Sequence, residues 1–141
     1  MKQFTLLLVL LLTGVIAHAQ VSPTSLNSMV GKHYAIVSLQ VSNDLSIPFE
    51  GELSVSPYGI VLVYGDGSGY ADEFHIYRLN DASNKLKWKV SSDGKNGFIQ
   101  LNPDFSSKNP DKISITITEG STTNTYILMN KPHDTPTLKE R

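Results

Sequence analysis

The sequence contains no cysteine in its 141 residues. Disulfides, which often stabilise small exported domains, are therefore excluded, and so are zinc sites built on thiolates. A lipid anchor on a cysteine that follows the N-terminal apolar run is not expected either. The fold has to be stabilised by the packing of apolar side chains.

An excess of charge of one sign is also lacking, since 12 basic residues stand against 13 acidic ones and the formal net charge is −1. This balance gives no electrostatic reason to bind nucleic acid or anionic lipid. No repeat of fixed period is present, which argues against a solenoid or a propeller.

Long apolar runs are lacking too, and the longest, over residues 4–12, is too short for a stable membrane span. It follows the positive Lys2 and precedes the small residues Ala17 and Ala19, the pattern of a secretory signal peptide. A retained membrane anchor is the alternative. We predict a signal peptide over residues 1–20, cut after Ala19 or Gln20, one domain over 21–130 and a disordered tail over 131–141. The mature protein is then secreted or periplasmic, without a membrane span.

The residues that are present favour β-strands. Leu86, Trp88 and Val90 alternate with lysines, and a period of two places the single tryptophan on a buried face. A second strand over 112–118 alternates in the same way, with three isoleucines predicted to point inward. They are Ile113, Ile115 and Ile117.

Turn residues connect these strands. Asp-Gly and Asn-Gly between 92 and 97 predict a hairpin that pairs 98–101 with 86–90, and Glu119-Gly120 predicts a second hairpin. Residues 102–111 are predicted as a loop. About eight short strands follow one another, so the fold class is all-β, a single antiparallel meander closed into a barrel or folded as a β-sandwich. A short helical turn that begins after Pro23 precedes the first strand.

The segment from Leu26 to Val41 is similar to the beginning of lipocalin-like barrels. In that family a short helical turn leads into Gly-x-Trp and the first strand, and here Gly31 begins the corresponding stretch, with His33 in place of the tryptophan. The resemblance implies a secreted barrel whose apolar interior holds a small hydrophobic ligand.

From these patterns we expect a secreted protein that binds rather than catalyses, with a small apolar ligand in the barrel interior or at its mouth. The residues predicted to line this site are Val37, Leu39, Leu62, Tyr64, Tyr77 and Trp88.

The alternative is a protein interface, with a partner or a second copy of the chain, on the outer face of the run from Ile60 to Tyr64. This run is apolar on both faces, so it is either covered on both sides or docks a partner. Four tyrosines lie nearby and belong either to a binding surface or to the ends of the barrel. They are Tyr58, Tyr64, Tyr70 and Tyr77.

Catalytic and metal sites are weakly indicated. Glu73 and His75 share one strand face and could form an acid–base or metal site, but a solvated surface is favoured, because zinc needs more ligands. The glycine-rich loop over 66–73 has oxygen donors without calcium-binding spacing, and Ser68 lacks the strand-to-helix turn of a serine hydrolase. We therefore predict no enzyme, no cofactor and no metal, with a hydrolase or a metal-dependent enzyme as the least favoured class.

Overall fold

The structure, a computed structural model, describes residues 21–42, 45–77 and 85–134. The strands are β1 (Lys32–Gln40), β2 (Ser46–Val55), β3 (Gly59–Tyr64), β4 (Ala71–Ile76), β5 (Lys87–Ser92), β6 (Lys95–Leu101), β7 (Lys112–Glu119), β8 (Thr122–Met129) and β9 (His133–Asp134). From β1 to β8 each strand pairs antiparallel with the next, and β1 also pairs with β8. The predicted all-β meander is confirmed, and closure makes it an eight-stranded barrel rather than a sandwich.

The interior of the barrel is filled by apolar side chains from all eight strands of the meander, which alternate inward except at an irregularity in β1. Trp88 is 2% exposed, and Ile113, Ile115 and Ile117 lie in the same apolar cluster. The inward alternation of β5 and β7 is therefore confirmed for these residues. Leu86 differs, since it precedes β5 and is 37% exposed.

The N-terminal segment covers one end of the barrel. A 3-10 helix over Leu26–Met29 begins at Ser25, whose hydroxyl accepts a hydrogen bond from the amide of Ser28. Leu26 and Met29 are fully buried in the core, and the amide of Leu26 donates to the carbonyl of Lys85 at 2.9 Å. The predicted helical turn is present and closes this end, called the closed end below.

The turns of the two predicted hairpins, β5–β6 and β7–β8, lie at the opposite end. The turn after β5 uses Asp93 and Gly94 at φ values of 48° and 74°, and the turn after β7 uses Gly120 at 59°. Trp88 pairs with Ile99, as the predicted first hairpin requires. Because alternate turns of a meander lie at the same end, the β1–β2, β3–β4, β5–β6 and β7–β8 connections surround this end, called the mouth below.

The outer surface carries a short helix, α1 (Pro103–Lys108), against β7. It lies in the segment predicted as a loop, and the hydroxyl of Ser106 donates to the carbonyl of Lys112 at 2.9 Å. Proline at the first helical position fixes φ for a helix start, a signal that the loop prediction overlooked.

The last described residues pair with β1. His133 lies opposite His33, and Asp134 lies opposite Lys32, inside the range predicted as a disordered tail. Residues 135–141 and the predicted signal peptide over 1–20 lie outside the described residues. Among the described residues, no helix has the length and apolar character needed to cross a membrane.

Candidate functional site

The residues predicted to line a ligand site lie in different environments. Leu62 and Trp88 are buried in the packed core, so no ligand fits at their level of the barrel without displacing them. Leu39 and Tyr64 are half-buried and pack on that core toward the mouth. Tyr77 is 63% exposed beyond the end of β4, so it does not line the interior.

Val37 also departs from the prediction, since its side chain is 37% exposed. The pairing register of β1 shifts between Ile36 and Ser38, on both the β2 and the β8 side. Such a bulge adds one residue and breaks the alternation of faces. Val37 therefore does not share the inner face with Leu39.

Three of the four clustered tyrosines are exposed, at opposite ends of the barrel. Tyr58 is 82% exposed in the turn before β3, whereas Tyr70 is 74% exposed in the β3–β4 connection at the mouth. Tyr77 follows β4 at the same end as Tyr58, where the amide of Ile76 donates to the carbonyl of Tyr58 at 3.0 Å, so Tyr70 at the mouth is separated from both. Tyr64 alone points into the barrel.

A cavity of about 240 Å³ opens at the mouth. Its lining consists of Tyr64, Asp72, Phe74, Lys95, Ile117, Glu119, Thr122, Asn124 and Tyr126. Residues from β3, β4, β6, β7 and β8 thus meet above the filled core. This mouth cavity is the candidate site.

Strand alternation explains how polar groups reach the inner surface. Asp72 has the same parity on β4 as buried Phe74, and Asn124 has the same parity on β8 as buried Tyr126. Asn124 and Tyr126 were not predicted as site residues, and Asp72 was considered only beside Glu73 and His75 and as an oxygen donor of the 66–73 loop. The usable signal was a carboxylate two positions before Phe74 on an inward face.

The polar centre of the cavity is a pair of side chains on adjacent strands. The Tyr64 hydroxyl donates a 2.5 Å hydrogen bond to a carboxylate oxygen of Asp72. Burial raises the pKa of Tyr64, and the hydrogen bond to Asp72 and its negative charge raise it further. Burial also raises the pKa of Tyr126, and the Asp72 charge adds to this effect, against the lowering effect of Asn124 and Tyr64.

Aromatic packing holds the two tyrosines in place. Phe49 lies edge-to-face with both Tyr64 and Tyr126, with 5.6 Å between ring centroids in each pair. A Cβ at Gly51 would lie 3.0 Å from the Phe49 ring and 2.6 Å from the Val63 carbonyl oxygen. Because glycine has no Cβ, the Phe49 ring can pack against the backbone at this position.

The rim of the mouth carries further charges. Lys95 and Glu119 approach each other to 3.8 Å across the β6–β7 edge. In the β3–β4 connection, an Asp66 carboxylate oxygen accepts from the amide of Ser68 at 2.9 Å, and hydrogen bonding to Ser68 lowers the pKa of Asp66.

The candidate catalytic and metal residues do not converge. Glu73 and His75 are exposed on the outer face of β4, whereas Asp72 points into the barrel. Within residues 21–42, 45–77 and 85–134, no group of three or more His, Asp or Glu side chains has the geometry to hold a metal ion. The Ser68 hydroxyl accepts from the amide of Tyr70 at 3.2 Å as part of a tight loop.

His33 has hydrogen-bonding partners on the neighbouring strand that its own stretch of sequence does not indicate. Its Nδ1 lies 2.6 Å from the Ser54 hydroxyl and 2.9 Å from a Glu52 carboxylate oxygen, on the outer face of β1 and β2. A serine–histidine–acid triad uses both ring nitrogens, one for the serine and one for the acid. Because both of these contacts are to the same nitrogen, Ser54, His33 and Glu52 do not have the geometry of a triad with one another.

No family model matches the chain, and no significant similarity to a curated protein or a solved structure is found. The resemblance of residues 26–41 to lipocalin-like barrels stays a prediction.

Proposed function

We propose that this chain is an exported, non-catalytic binding protein that holds one small ligand at the open mouth of its barrel. The observation that carries the proposal is the convergence of Tyr64, Asp72 and Asn124 on one cavity above a filled core. Ligand sites combine apolar and aromatic walls with a few polar groups that fix orientation. Polar side chains on the inner face of a small barrel contribute little to its packing, so a binding role accounts for them.

The size of the cavity limits the ligand. About 240 Å³ is below the roughly 300–1,000 Å³ of sites for drug-sized molecules. The β1–β2 hairpin adds two exposed apolar side chains at the same end, Leu45 and Ile47, which would cover the part of a ligand that extends outward.

Binding is favoured over catalysis because the reactive groups at the mouth are already paired with each other. The phenol of Tyr64 donates to Asp72, and Lys95 faces Glu119. A nucleophile next to a base that is oriented by a third group, the arrangement that covalent catalysis needs, is not formed by these residues.

A blocking variant tests the proposal. Thr122 lines the cavity at the rim, whereas the next residue, Thr123, is exposed on the outer face of β8. We would add n-hexylammonium, n-hexanol and n-hexanoate separately to ¹⁵N-labelled protein and follow the amide resonances of Tyr64, Asp72 and Asn124. We expect saturable shifts with at least one probe, loss of these shifts in Thr122→Trp, and their retention in Thr123→Trp. The proposal fails if no probe shifts these amides or if Thr122→Trp leaves the shifts unchanged.

A second candidate is association through the outer face of β3, with another protein or with a second copy of the chain. Val63 is 40% exposed there and Val61 is half-buried, while Ile60 and Leu62 point into the core. Val63 lies between Glu52 on β2 and Ala71 on β4. A short apolar patch with a charged residue beside it fits a small interface.

A further inference from the structure

The charges around the mouth cavity do not cancel. Its lining contains three charged side chains: Asp72, Lys95 and Glu119. Lys95 and Glu119 face each other at the rim, so the Asp72 carboxylate is left as the net charge inside the mouth. Asp66 in the β3–β4 connection is also negatively charged, and like Asp72 it raises the pKa of Tyr64. The mouth is therefore electronegative.

The walls around Asp72 are aromatic. Tyr64, Phe74 and Tyr126 line the cavity, and Phe49 packs behind the two tyrosines. The face of an aromatic ring attracts a cation through its quadrupole, and the attraction strengthens when water is excluded. A carboxylate next to aromatic rings is a combination that favours a positively charged group.

Other ligand classes fit this cavity less well. An anion would be repelled by Asp72. A fully apolar ligand would remove water from that carboxylate while Tyr64 donates to only one of its oxygens, and the desolvation of a charge is costly unless it is compensated. A ligand that brings its own positive charge and N–H donors compensates that cost.

Building on the proposed mouth site, we infer that its ligand is a small organic cation, an ammonium group on a short apolar body. The ammonium contacts the Asp72 carboxylate and the rings of Tyr64 and Tyr126. The apolar body points outward, toward the exposed side chains of the β1–β2 hairpin.

The test compares the affinities of n-hexylammonium and n-hexanol, which share a chain length and differ in charge. We would measure both by titration of the mouth amides in the wild type, in Asp72→Asn and in Glu73→Gln. Asp72→Asn keeps an oxygen that accepts from Tyr64 but removes the charge. Glu73→Gln removes a charge from the neighbouring residue on the outer face, so it controls for a general change in net charge.

We expect n-hexylammonium to bind at least about tenfold more tightly than n-hexanol in the wild type and in Glu73→Gln, and this preference to disappear in Asp72→Asn. If n-hexanol binds the mouth as tightly as the ammonium in the wild type, the cation inference is overturned while the mouth site stands. If the preference persists in a folded Asp72→Asn, the inference is likewise overturned. If no probe reaches the mouth, the proposed function itself fails. The wild-type comparison alone decides the charge class, so the inference stays testable even if Asp72→Asn does not fold.

Discussion

Tyr64 and Asp72 lie on adjacent strands and share a 2.5 Å hydrogen bond on the inner surface of the barrel. Their strands pair so that Leu62 is the backbone partner of Asp72, and the phenol of Tyr64 reaches the carboxylate from two positions further along β3. The contact thus joins the last residue of one strand to the beginning of the next. It also marks the level at which the apolar core ends and the mouth begins.

Tyr64→Phe should lower the free energy of unfolding by about 0.5 to 1.5 kcal/mol, because it removes this hydrogen bond but keeps the aromatic packing on Phe49. Urea denaturation measures the change. Tyr70→Phe is the matched control, since Tyr70 is 74% exposed in the adjacent connection, and it should change stability by less than about 0.5 kcal/mol. Equal effects of the two variants would contradict a stabilising role for the contact.

Trp88→Ala should lower the free energy of unfolding by about 3 to 5 kcal/mol, because it removes the largest side chain of the core and leaves a cavity. Lys89→Ala is the control on the same strand and should cost less than about 0.5 kcal/mol. Lys87 is less suitable, since its ammonium lies 4.1 Å from the centre of the Phe98 ring. A small loss for Trp88→Ala in chemical denaturation would mean that the core tolerates its removal.

Much of the architecture was predictable because strand alternation is a local property. The inward positions of Trp88 and Ile115 follow from neighbouring residues alone, and the Asp-Gly and Gly120 turns set the two hairpins. Closure between β1 and β8 is not local. The sequence alone does not distinguish a closed barrel from a β-sandwich, because strands with the same alternation form either fold.

The candidate site was predicted only in part. Of the residues predicted to line a ligand site, Tyr64 lines the mouth cavity and Leu39 packs on the core. Val37 does not face inward, since a bulge interrupts the alternation of β1. Asp72 was considered only as a donor of the 66–73 loop and beside Glu73 and His75, because a carboxylate next to a glycine-rich turn resembles ordinary loop sequence. Its position in the mouth cavity depends on five strands that meet there, and no single stretch of sequence contains that information.

The stability of the fold should decrease at alkaline pH. Burial raises the pKa of Tyr34 to about 12, above the value of about 10 for an unfolded chain. The neutral phenol thus contributes stability that is complete below pH about 10 and is lost as the pH rises toward about 12, by about 1 to 3 kcal/mol. The raised pKa values of Tyr64 and Tyr126 act in the same direction.

Tyr34→Phe should therefore flatten the decrease in the free energy of unfolding between pH about 9 and about 11.5, measured by urea denaturation. Tyr58→Phe, which removes a hydroxyl from an exposed turn, should follow the wild-type curve. An unchanged slope in Tyr34→Phe would show that this phenol is not responsible for the alkaline loss.

Export predicts a defined N-terminus. If residues 1–20 are a signal peptide, protein recovered outside the cytoplasm should begin at Gln20 or Val21, as measured by intact mass. Replacing Leu8 with Arg, which interrupts the apolar run, should leave the unprocessed chain inside the cell. Intact Met1 on the exported protein would contradict the prediction.

A charge placed on the outer face of β3 tests whether Val63 mediates association or is only an exposed valine. Val63→Lys should leave the domain folded, because Val63 is 40% exposed between Glu52 and Ala71, and an added lysine can pair with the glutamate. Leu62→Lys, one residue away on the inner face, should unfold the chain, since Leu62 is fully buried and an ammonium there would have no compensating partner. Circular dichroism measures folding, and light scattering measures mass. If the wild type is an oligomer and folded Val63→Lys is a monomer, this face carries the association; if the two proteins have the same mass, self-association through β3 is contradicted.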